Sequence, residues 1–332
     1  MGPRRVGRRH HPRRLLRRLR RAARRHGGRR PVAHARRPAV TAAVEVEAPA
    51  IEAPALGLHT DLSNEDYHAD KTSLSSSGAR KLLPPSCPAK FRYEQDNPQP
   101  PTKTFDYGNA AHKLVLGNGP KLIVIDHDTW NTKEAKAAVA DARAEGGIPL
   151  KQHEMQMVKD MAAAIRRHPL ASALLEPAYG APEQSGFWID EASGIRCRVR
   201  FDWLPSHQEG RLIIPDYKTT ADASNEAMQK DIDKYGYNCQ ADWYETGARA
   251  LGLGDHTAEL LLIAQEKKPP YLVNVIGITL GSRVIAGAKN RHAIETFAQC
   301  ESTGYWPGYA DHEPNYLELP GYAENRDKEI YL

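Results

Sequence analysis

The sequence predicts an α/β (α+β) domain: a helical N-terminal half, followed by a mixed central β-sheet flanked by helices. Three observations carry this. Apolar residues recur at helical spacing through the first half of the chain. The period then shortens to two between about residues 185 and 204. From there strands and helices alternate, which is the pattern of a layered sheet with helices packed on it.

Composition bounds the answer first. The chain has 332 residues, 40% hydrophobic and 26% charged, enough apolar material for a substantial core. No run approaches the ~20 apolar residues that span a bilayer, so no integral membrane protein is expected. The net charge of +5 hides a segregation: sixteen of the 46 Lys and Arg are arginines in residues 1–37, a stretch without acids. The remainder carries 30 basic residues against 41 acidic, a net of −11. The body therefore has to meet any polyanion through local features, such as metal ions or a lined channel, rather than through bulk charge. Cys87, Cys197, Cys239 and Cys300 lie far apart without a CxxC pair. That argues against a disulfide scaffold, a zinc knuckle or an iron–sulfur cluster and fits a reduced, cytoplasmic setting.

Taken in order, residues 1–37 read as a low-complexity Arg-rich head, either a solvated tail or an arm that grips DNA phosphates. Residues 38–56 read as a Pro/Ala linker; together these form a disordered segment 1–56. A folded domain is expected over 57–304 and an extended tail over 305–332. The stretch DLSNEDY from Asp61 and the run Ser75–Ser77 offer N-cap chemistry for short helices. Helices are predicted at 105–117, 132–145 and 151–167, the last with Met155, Val158, Met161 and Ile165 on one stripe. GFWID and IRCRVRFDWL form a predicted hairpin around Glu191–Gly194. RLIIPDYKT follows as a buried strand, then helices at 224–234 and 237–251, strands ELLLIAQE and YLVNVIGIT, and a helix at 281–302.

The chemistry is expected at FDWL and IIPDYKT. Asp202 ends one strand, and Asp216 and Lys218 sit two apart on the next, hence on one face. Tyr217 points the other way and leaves its backbone carbonyl free to coordinate. Two carboxylates and a carbonyl make an oxygen-lined site suited to Mg²⁺, or alternatively Mn²⁺. A neighbouring lysine can orient water or offset developing charge. Alone, D-x-K on a strand is as compatible with a surface ion pair. Ile213 and Ile214, however, make the approach to Asp216 apolar, and a buried carboxylate needs a partner or a metal. Gly108-x-x-x-His112 on a helix, Glu183 at the start of the hairpin and Gln240-x-x-x-Tyr244 on one helix face complete the candidates. Arg196, Arg198 and Arg200 alternate on the strand leading to Asp202, with Arg198 and Arg200 as candidate DNA-phosphate contacts or simply a solvated face.

These features, in this order, resemble the RecB-like branch of the PD-(D/E)xK nuclease superfamily. The stretches GLHTDLSNEDYHAD, SLSSSGARKLL, CPAKFRYE and FDYGNAAHKLVLG resemble the front of phage and prophage exonucleases of the exodeoxyribonuclease VIII (RecE-type) group. The resemblance spans about 57–303 and implies a restriction-endonuclease-like core. It implies Asp202 and Asp216 as metal-binding acids, Lys218 as the catalytic lysine and His112 as an additional metal ligand. Gln240 and Tyr244 match the motif that contacts DNA beside the active site. The Pro215-Asp216 pair spells the superfamily name, but the first acid of the motif matches Asp202, here preceded by Phe201. The implied activity is 5′ to 3′ digestion of linear double-stranded DNA by a homo-oligomer in a bacterial host cell. A single-strand annealing recombinase in phage-type recombination is the implied partner. The alternatives are a RecB-like endonuclease or single-strand nuclease, and a non-catalytic DNA-binding module on the same fold.

Overall fold

A computed structural model describes residues 53–97, 103–127, 129–206 and 210–332. The Arg-rich head and the linker up to residue 52 lie outside the described residues, which belong to one compact unit. No helix among them is long and apolar enough to cross a membrane.

The front half is helical. After strand β1 (Gly57–His59) come α1 (Asn64–Ala69), β2 (Leu74–Ser75), α2 (Ser76–Lys81), α3 (Pro88–Asp96) and α4 (Lys103–Leu116). Ser63 and Ser75 cap α1 and α2 by accepting from the Asp66 and Gly78 N–H groups, as their residue types suggest. Strand β3 (Leu122–Val124), α5 (Lys133–Ala144), β4 (Ile148–Leu150), α6 (Gln152–Arg167) and α7 (Pro169–Leu174) follow. On α6 the expected stripe is real: Val158, Met161 and Ile165 are buried and Met155 packs against them. The two- and three-residue strands, α3 and α7 have no counterpart in the sequence reading, because elements this short show no period.

The second half carries β5 (Gly180–Ile189), β6 (Arg196–Pro205), β7 (Ile213–Thr220), α8 (Asn225–Tyr235), α9 (Tyr237–Ala250), β8 (Glu259–Glu266), β9 (Val273–Gly277), α10 (Leu280–Thr303) and α11 (Gly321–Tyr331). The α/β class holds, with mixed sheets. The central layer, however, is divided. One sheet runs β1-β5-β6-β2, with β5 and β6 antiparallel and β2 parallel to β6. Another runs β7-β8-β9, with β7 parallel to β8 and β9 antiparallel. Strands β3 and β4 form a separate parallel pair. Strands β6 and β7 touch but share no ladder. The tail is also corrected: residues 321–331 are helical rather than extended, since Ala323, Glu324 and Lys328 are good helix formers beyond the stop at Pro320.

Two apolar cores sit on opposite faces of the β7-β8-β9 sheet. One gathers Phe201, Ile214, Leu260, Leu262, Trp243 and Phe297 between the sheets and α9 and α10. The other joins Tyr217 and Ile263 to Ala110, Ala111, Val158 and Met161 of α4 and α6. Alternation along β7 thus sends Ile214 to one core and Tyr217 to the other. That puts Asp216 and Lys218 on the Ile214 face.

An ion pair fastens α10 to the β5–β6 turn. Asp190 accepts from both terminal nitrogens of Arg291 at 2.7 Å and also from the Ser193 N–H and hydroxyl. Hydrogen bonding to Arg291 holds its carboxyl down at about 2, below the ordinary 3.8. Because the folded-state pKa is depressed, this stabilisation is complete above pH 3.8 and is lost as pH falls through about 2. Arg291→Ala should lower unfolding stability by ~1–3 kcal/mol at neutral pH. In denaturant titrations the gap between variant and wild type should close as pH drops through that window.

Candidate active site

Asp202 and Asp216 come from the two separate sheets and meet where β6 passes β7. Asp202 Oδ2 accepts the Tyr217 N–H at 2.9 Å, so a side chain occupies the place a ladder carbonyl would take. Asp216 is fully buried. Its Oδ1 accepts from Gln240 Nε2 at 2.7 Å, while Lys218 Nζ lies 2.5 Å from Oδ2. This ion pair occupies Oδ2, which no other donor among the described residues reaches. From α4, His112 Nε2 stands 2.9 Å from the Tyr217 carbonyl oxygen and 3.5 Å from Asp202 Oδ2. The Tyr217 ring points into the core behind, its hydroxyl donating to Gln265 Oε1 at 2.6 Å.

Burial and charge both act on these groups. Removal from water, and then the neighbouring Asp216 carboxylate, push the Asp202 carboxyl up to about 6. Burial works to lower the Lys218 pKa, but the Asp216 and Asp202 carboxylates outweigh it and hold the ammonium well above its ordinary value. Its charge is therefore fixed at any physiological pH. Tyr244, one turn beyond Gln240 on α9, is raised by burial and meets Phe201 edge-on at 5.6 Å.

The residues fit a hard divalent cation. Two carboxylates, one of them fully buried, converge with a backbone carbonyl and an imidazole. Such a set suits Mg²⁺ or Mn²⁺. No three His, Cys, Asp or Glu side chains among the described residues cluster closely enough to ligate an ion by themselves. The Tyr217 carbonyl and water would have to complete the shell, as is usual for Mg²⁺.

These groups open onto a cleft of about 760 Å³ whose lining includes His112, Glu183, Asp202, Gln240 and Tyr244, together with residues of α1 and α2. Asp216 and Lys218 lie just beneath this lining. In the β5–β6 register Pro182 faces Trp203 and Gln184 faces Phe201, which sets Glu183 opposite Asp202. Its backbone is left-handed, with φ of +57°, a conformation that few residues besides glycine and asparagine adopt readily. Its carboxylate accepts from Arg200 Nε at 2.6 Å.

Arg198 and Arg200 both line the cleft, and their partners lie within the protein. Arg198 donates to the Tyr67 and Asp70 carbonyls. Arg200 binds Glu183, the Ser185 hydroxyl at 2.8 Å and the Leu62 carbonyl at 3.2 Å. Both guanidiniums lie over the Tyr67 ring, at 4.8 and 5.4 Å. Arg196 turns away to the Pro54 carbonyl and the Phe187 ring. Gln240 likewise spends its amide on Asp216. Tyr67 itself carried no functional signal, since a tyrosine on a short capped helix reads as packing.

One stability test is specific to this geometry. Asp202→Asn keeps an acceptor for the Tyr217 N–H but removes one of two neighbouring like charges. In chelator it should unfold at a higher temperature than wild type. Asp202→Ala orphans that N–H and should be less stable than Asp202→Asn by ~1–3 kcal/mol.

Comparison with known proteins identifies the family. The family model described as a PDDEXK-like domain of unknown function (DUF3799) matches residues 75–318. Among solved structures, a Eubacterium rectale protein provisionally described as an exonuclease aligns at 13% identity, covering 80% of this chain and 94% of its own, with a TM-score of 0.49. The protein SSO0001 aligns at 12% identity over 68% and 77% of the two chains, with a TM-score of 0.31. No curated protein matches the chain.

Proposed function

Because the chain belongs to the PDDEXK-like DUF3799 family, we propose that it hydrolyses DNA phosphodiester bonds with a divalent cation, Mg²⁺ or alternatively Mn²⁺, at Asp202 and Asp216. The observation that carries this reading is the convergence of the buried Asp216 carboxylate and the half-buried Asp202 carboxylate beside Lys218, at an open cleft. Asp202, Asp216 and the Tyr217 carbonyl hold the ion, with His112 as a further ligand and Glu183 facing the same position from β5. When bound, such an ion polarises a phosphoryl oxygen and acidifies a coordinated water.

The other roles follow from the contacts. Lys218 is a permanently charged point donor that orients the attacking water or offsets charge developing on the phosphorus oxygens. Gln240 fixes one Asp216 oxygen and so aims the other, acting as a positioning residue. Tyr244 forms the adjacent cleft wall. Arg198 and Arg200 hold that wall to α1 through their internal bonds and give it a positive cast towards phosphate.

At the finer level, the resemblance to RecE-type exonucleases favours digestion of linear duplex DNA from its ends, 5′ to 3′. It also favours a homo-oligomer, an annealing recombinase as partner and a bacterial cytoplasm as setting. Incubating linear and circular duplexes with Mg²⁺ tests this directly. Loss of linear DNA alone is expected. Cutting of the circle would point to an endonuclease, and inertness of a folded protein towards both would leave a DNA-binding module. Lys218→Ala should reduce the rate by ~10²–10³-fold. Gln240→Ala should cost ~10–100-fold in activity or metal affinity, and raising the metal concentration should recover part of it.

A further inference from the structure

If the cleft takes DNA, something in it must bind phosphate, and most of its cations are already engaged. Arg198 Nη1 donates to two carbonyls, Arg200 binds Glu183, the Ser185 hydroxyl and the Leu62 carbonyl, and Lys218 is paired with Asp216. Arg80, on α2, also lines the cleft, together with Gln240 and Tyr244. Its guanidinium is partly buried, yet among the described residues it has neither an ion pair nor a hydrogen bond. Burial pulls its pKa down, and the groups acting against this are Cys239, Tyr237 and Tyr244, none a carboxylate. A desolvated cation without a counter-charge is costly, and an arriving anion relieves that cost.

The fold also keeps this side chain in place. Its aliphatic part lies over Gly236, the junction of α8 and α9, where the backbone is left-handed with φ of +65°. A Cβ at that position would come within 2.5 Å of Arg80 Cδ. Lys81, its sequence neighbour, instead turns outward to Glu94 at 2.6 Å.

We infer that Arg80 is a substrate-binding residue that clamps a backbone phosphate of the DNA strand lying in the cleft, next to the scissile phosphate. The proposal rests on the nuclease reading above and adds to it the anchor of the strand. The fork of guanidinium donors matches two phosphate oxygens at once, a geometry lysine cannot reproduce.

The test uses the full chain on a short linear duplex. Arg80→Ala and Arg80→Lys are compared with wild type, with Lys81→Ala as an outward-facing control and thermal unfolding as the check on folding. Arg80→Ala should raise KM by ~10–100-fold while changing kcat little. In the Lys218→Ala background, the salt dependence of DNA binding should flatten by about one phosphate contact, a slope change of roughly 0.9. Arg80→Lys should restore the slope but not the full affinity. Single neutral methylphosphonate linkages placed along the strand give the decisive reading: one position should weaken wild type and leave Arg80→Ala unaffected. An active wild type whose salt slope and methylphosphonate profile match those of a folded Arg80→Ala variant would overturn the assignment. A wild type that neither binds nor cuts DNA would instead remove the nuclease reading itself.

Discussion

The hydrogen bond from the Tyr217 amide to the Asp202 carboxylate is the constraint on which the site depends. Strands β6 and β7 belong to different sheets, which share a core beneath α9 and α10. A side-chain acceptor on one strand and a backbone donor on the next join them at the point where chemistry is needed. Desolvating a carboxylate there is unfavourable, and a second carboxylate nearby makes it more so. The arrangement is tolerable because Lys218, Gln240 and the amide each offer a compensating positive end. Asp216 Oδ2 faces the Lys218 ammonium and has no other donor among the described residues.

Much of this was legible in the sequence. The D-x-K alternation placed Asp216 and Lys218 on one face and Tyr217 on the other, because a strand has only two faces. The long amphipathic helices appeared within a residue or two of their predicted ends, because an apolar stripe repeated over three or more turns is hard to mistake. What stayed hidden was pairing. Nothing in the residues of β6 and β7 says that the strands lie side by side without a ladder. Nothing in Arg198 or Arg200 says that their donors end on carbonyls far away in the chain. Arg80 was invisible for the same reason: an arginine on a short helix looks solvated until the fold closes over it.

The charge segregation of the chain gains meaning from this geometry. An acidic body cannot attract a polyanion over long distances, so binding has to be won locally, where desolvation strengthens each contact. The cleft joins acids at its floor with guanidiniums on its walls. Salt should affect its affinity through a few discrete contacts rather than through a broad field.

The left-handed backbone at Glu183 bears on how this site could decay. A non-glycine residue in that conformation sacrifices ~1–2 kcal/mol relative to glycine. Mutational drift in a chain with no further use for the carboxylate would favour Gly or Asn at this position, since either relaxes the backbone at once. Position 183 is thus a place where selection for stability and selection for chemistry pull in opposite directions. An inactivated descendant of this protein would be expected to show its history there early, while its hydrophobic cores still looked intact.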